Sequence, residues 1–136
     1  MSMFSNARRS YDIGAKVTES SRDLEANALF KAARMLDDVR QDWNAPDRPE
    51  KLDAALTYTQ KLWTFFQTEL TNKANPLPPE LRSWLLSLSV FLDRRVLELR
   101  TEPDAKGLDA LIKINREIAL GLSARPGDAA PEAEAA

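Results

Sequence analysis

Apolar residues recur along this chain at steps of three and four, the spacing of one helix face, in four stretches separated by proline-containing breaks. In the first stretch, Leu24, Ala28, Ala32, Met35, Leu36, Val39 and Trp43 trace one face. Ser20-Ser21-Arg22-Asp23 offers a hydroxyl that can accept from an early helix N–H and a carboxylate suited to the positive end of the helix dipole, which predicts a start there. Asn44-Ala45-Pro46 ends the helix. A second begins at Asp47-Arg48-Pro49-Glu50, with Asp47 as cap and Pro49 in a first turn whose N–H groups lack intrahelical partners anyway. Its face reads Leu52, Ala55, Leu56, Leu62, Trp63, Phe66 and Leu70.

Pro76, Pro78 and Pro79 bar the stretch from Asn72 to Pro79 from a helix interior, so a third helix is predicted from Glu80. It carries Leu81, Trp84, Leu85, Leu88, Phe91, Leu92, Val96 and Leu99. After the break at Thr101-Glu102-Pro103-Asp104, Leu108, Leu111, Ile112, Asn115, Ile118, Ala119 and Leu122 trace a fourth, stopped by Arg125-Pro126-Gly127. Four helices of comparable length joined by short connectors predict an all-α, mostly antiparallel four-helix bundle over residues 19–122. Residues 1–18 show no sustained period and are expected to form a flexible arm. Residues 123–136, rich in Ala, Glu and Pro, are expected to be a disordered tail. Trp63, Phe66 and Trp84 are expected in the core with the indole N–H groups near its rim. Asn115, alone among apolar neighbours, reads either as a satisfied buried amide or as a partner contact.

Composition narrows the chemistry. With no Cys and no His, the chain has no disulfide, thiolate nucleophile or imidazole acid–base group, and no metal site built on nitrogen or sulfur ligands. Its four glycines stand in no phosphate-cradling loop, and no cofactor is implied. The carboxylate groupings Asp37-Asp38 and Glu98 with Glu102 read as solvated helix faces, since adjacent helix residues diverge by about 100°. The expectation is therefore a protein that is not an enzyme. Nineteen Lys and Arg against 21 Asp and Glu give no overall footprint for nucleic acid or an anionic membrane. Arg8-Arg9, Arg94-Arg95, Arg82 and Arg100 are the basic candidates, but Asp93 and Glu98 interrupt the stripe on the third helix. The start of the chain has no apolar signal-like run, and no stretch approaches about 20 apolar residues, which predicts a cytoplasmic protein with no membrane partner.

Several apolar residues fall outside the predicted core faces. Tyr58 and Phe65 share a flank of the second helix at i, i+7, Phe30 lies opposite the stripe of the first, and Leu86, Val90 and Leu97 form a second line on the third. Either the third helix is central and touches neighbours on both sides, or these residues present a groove to an amphipathic partner helix. On the second reading Phe30, Tyr58, Phe65, Leu86, Val90 and Leu97 are the partner-binding surface. The same residues could serve self-association, so the chain is expected as a monomer or a weak homodimer.

The strings Lys51-Leu52-Asp53-Ala54-Ala55-Leu56, Leu62-Trp63-Thr64-Phe65-Phe66 and Asn75-Pro76-Leu77-Pro78-Pro79-Glu80-Leu81-Arg82 resemble the flagellar biosynthesis protein FlaF family of alphaproteobacteria. Ser21-Arg22-Asp23-Leu24-Glu25-Ala26, Leu86-Ser87-Leu88-Ser89-Val90-Phe91 and Leu111-Ile112-Lys113-Ile114-Asn115-Arg116 extend the resemblance in order, over roughly residues 10–122. It implies a chaperone-like protein, working without ATP, that binds flagellin before secretion, promotes its synthesis and export, and acts opposite the translational regulator FlbT. A regulator that contacts flagellin messenger RNA directly, or an adaptor that sequesters FlbT, are the alternatives. The resemblance assigns no particular residues to the flagellin contact.

Overall fold

The computed structural model describes residues 14–123. They form four helices: α1 (Gly14–Gln41), α2 (Arg48–Thr71), α3 (Pro79–Thr101) and α4 (Leu108–Ser123). The all-α architecture and the three breaks stand where the sequence places them. The expected arm up to residue 13 and tail beyond residue 123 lie outside the described residues.

The start of α1 differs from expectation. The helix is already under way at Gly14, so Ser20 and Ser21 are helix interior rather than cap. The reason is local: Ala15-Lys16-Val17-Thr18-Glu19 contains no breaker, and a cap signature sets a start only where the preceding residues resist the helix. Asp47 precedes α2 as predicted, yet its side chain makes no capping bond and instead lies 3.3 Å from Lys51 Nζ. Prolines begin both α2 and α3. The connector between them is closed by its own asparagines: Ala74 N–H donates to Asn72 Oδ1 at 2.9 Å, Leu77 N–H to Asn75 Oδ1 at 2.9 Å, and Asn75 Nδ2 to the Glu69 carbonyl at 2.8 Å.

α1 packs most extensively along α4 and also against α2, α2 against α3, and α3 only lightly against α4. The core joins Ala26, Leu29, Ala33, Leu36 and Val39 of α1 to Leu52, Ala55, Leu56, Trp63 and Phe66 of α2. Leu92, Val96 and Leu99 of α3 and Leu108, Leu111, Ile112 and Ala119 of α4 complete it. On α1 the predicted face holds in part: Ala32, Leu36 and Val39 are buried, and Met35 and Trp43 pack partly buried against the core. Leu24 is 67% exposed, and the buried arc runs through three alanines, Ala26, Ala32 and Ala33. α1 touches two helices, so its buried arc is centred between them, and small side chains there allow close approach that a reading led by Leu and Met misses.

Trp63 is only 1% exposed, so its indole is not at a rim; its Nε1 donates to Asn115 Oδ1 at 2.7 Å. This bond joins α2 to α4 through the core. Asn115 is thus a buried amide, bonded through its oxygen, while its Nδ2 has no partner. At the other end of the core, Gly107 allows α4 to start against α3. A Cβ there would stand 2.7 Å from Leu99 Cδ2 and 3.3 Å from the Asp104 carbonyl oxygen.

Candidate partner-binding surface

α3 is held along one edge by α2. Arg100 donates to Asp53 at 2.6 Å and to Thr57 at 2.8 Å, and Gln67 donates to Asp93 at 2.9 Å. Its buried residues, Ser89, Leu92, Val96 and Leu99, all lie beyond its first ten residues. The first turns contribute nothing fully buried, and the packing of the helices explains why. α4 packs along α1 and meets α3 only lightly, so α2 is the one helix that covers α3 extensively.

Two apolar lines result. In one, Leu86 is half-buried while Val90 and Leu97 are 54% and 65% exposed. In the other, Trp84 is 55% exposed, with Leu81 and Phe91 also exposed. At about 100° per residue the lines stand roughly 120° apart on α3, with Ser83, Ser87 and Arg94 on the ridge between them. Contiguous apolar exposure of this kind marks interaction surfaces more than scattered single residues do.

Of the six residues the sequence nominates, Leu86, Val90 and Leu97 do share a line. The others lie elsewhere. Phe30 is half-buried against the core; Tyr58 is half-buried with Lys31 Nζ 5.0 Å from its ring centre; Phe65 is 38% exposed and tilted against Phe66 at 5.9 Å. Tyr58 and Phe65 stand roughly 130° around α2 from the edge carrying Asp53, Thr57 and Gln67, which α3 covers. The six are therefore not brought together into one groove. Leu81, Trp84 and Phe91, assigned to the core by their spacing, belong to the exposed surface. No local signal in the sequence marks them, because it does not say which helices pack against α3.

Of the basic candidates, Arg8 and Arg9 lie outside the described residues and Arg94 is exposed, while the other three are engaged within the chain. Arg95 lies 3.4 Å from Glu98 and over the Phe91 ring at 5.4 Å; Arg100 is taken by Asp53 and Thr57; Arg82 reaches the Asn75 carbonyl at 3.5 Å. Arg40 pairs with Asp109 at 2.7 Å and with Asp37. One buried acid stands out. Glu25 of α1 is raised from 4.5 to about 7, first by burial and then by the nearby Glu69 of α2, with Arg22 acting in the opposite sense. Among the described residues no helix is long and apolar enough to cross a membrane.

A family model described as flagellar protein FlaF matches residues 7–122, a span that takes in all four helices except the last residue of α4. No curated protein and no solved structure matches the chain.

Proposed function

Because the chain belongs to the FlaF family of flagellar proteins, we propose that it serves flagellar assembly as a non-enzymatic cytoplasmic factor that binds flagellin and promotes its synthesis and secretion, acting opposite FlbT. The observation that carries this reading is the line of Leu86, Val90 and Leu97 on α3, apolar, helically spaced and exposed at two of its three positions. A filament subunit awaiting export has apolar segments that must be kept from associating early. A helical surface with one uncovered apolar line can take such a segment as an amphipathic helix. Because a disordered ligand loses conformational freedom on binding, the expected affinity is moderate, which suits release at export. The RNA-directed alternative would rest on Arg94, Arg95 and the basic start; Arg95 lies against Glu98 of its own chain, and the acidic overall balance argues against it.

Titration calorimetry against flagellin held monomeric, run beside the flagellin messenger leader, tests the reading. Binding to flagellin with a negative heat-capacity change supports it, because that change marks burial of apolar surface. Heat with the leader alone, fading steeply as salt rises, would replace it with the RNA-directed regulator.

A further inference from the structure

The second apolar line of α3 has a symmetry that the first lacks. Glu80, Trp84, Leu88, Phe91 and Arg95 fall within an arc of about 80° on the helix. Around a midpoint between Ser87 and Leu88, Trp84 and Phe91 are equally distant, and so are Glu80 and Arg95. We propose that this line is a two-fold interface between two copies of the chain, with the two α3 helices antiparallel so that each Trp84 packs on the other copy's Phe91 and each Glu80 pairs with the other copy's Arg95.

A two-fold contact uses the same patch on both partners, so it must be self-complementary, with residue i meeting j and j meeting i. This line meets that condition in charge and in shape. Arg95 lies 3.4 Å from Glu98 of its own chain, and in the opposed direction it stands between that carboxylate and the incoming Glu80; in the same direction Glu80 would face Glu80 and Arg95 would face Arg95, so charge also selects the orientation. Trp84 and Phe91 are exposed, and an exposed tryptophan is the side chain that gains most from being covered. The Arg95 guanidinium already lies over the Phe91 ring at 5.4 Å, beside the place the incoming indole would take. One helix pair covers less area than a standard stable interface, so the dimer is expected to dissociate on dilution.

The inference is independent of flagellin binding, which uses the line of Leu86, Val90 and Leu97. Sedimentation velocity of the full chain, from about 5 to 500 µM, tests it. The wild type is expected to shift from monomer to dimer across that range. Trp84→Glu is expected to remain monomeric throughout, with unchanged helicity because Trp84 supports no core contact. Glu80→Arg is expected to weaken association at least tenfold, and Glu80→Arg with Arg95→Glu to restore it to within about threefold of wild type. A wild type that stays monomeric to the highest concentration overturns the proposal. So does a dimer indifferent to Trp84→Glu, or a double charge reversal that rescues nothing. Val90→Glu with Leu97→Glu should leave the dimer intact, which separates failure here from failure of the flagellin reading.

Discussion

The indole N–H of Trp63 and the carboxamide of Asn115 are each costly to bury alone, and each answers part of the other's need. Removing either leaves a polar atom buried without its partner, whereas removing both leaves an apolar contact. In a double-mutant cycle, Trp63→Phe and Asn115→Leu are therefore expected to be non-additive, with a coupling of about 1–2 kcal/mol read from urea unfolding. Additive losses would mean the bond contributes nothing to stability. Glu25 acts differently, because it is buried without a neutralising base close enough to hold its charge. With a folded value of about 7 against an ordinary 4.5, the native chain keeps a proton that the unfolded chain has already released. Stability is thus highest at low pH in this window and falls as pH rises through about 4.5 to 7, by about 3 kcal/mol at most. Glu25→Gln should flatten that slope in melts at pH about 5 and 7, and a slope unchanged by the substitution would assign it to other groups.

At the level of elements, α3 separates the two tryptophans that an apolar period treats alike. Trp63 fills the centre of α2, so Trp63→Ala is expected to cost about 3–5 kcal/mol, whereas Trp84→Ala on the uncovered start of α3 should cost less than about 1 kcal/mol. Chemical denaturation of the two variants decides the matter, and equal losses would place Trp84 in a core. The breaks, the four helices and the buried faces of α2 and α4 were legible in the sequence because prolines and three–four spacing are local signals. The face of α1 was legible only in part: Ala32, Leu36 and Val39 are buried as read, whereas Leu24 is exposed and the small Ala26 and Ala33, whose hydropathy hardly exceeds that of their neighbours, were missed. The half of the candidate surface on Leu86, Val90 and Leu97 was visible as surplus apolar positions. Trp84 and Phe91 were hidden, since spacing says that residues share a face but not whether another helix packs against it.

For the whole molecule, one arrangement connects fold and function: all four helices build the core, α3 through Leu92, Val96 and Leu99 and its packing on α2, while its contact with α4 is slight. That leaves one helix with a polar ridge and an apolar line on either side, available for two different contacts. The central claim is that the Val90 side takes flagellin. Its most direct test is the affinity of Val90→Glu with Leu97→Glu for monomeric flagellin, measured by calorimetry beside the wild type and with circular dichroism to verify folding. The account predicts a folded variant whose binding is weakened at least tenfold, in keeping with loss of about 1.4 kcal/mol or more. A folded variant that binds flagellin as tightly as wild type would contradict it.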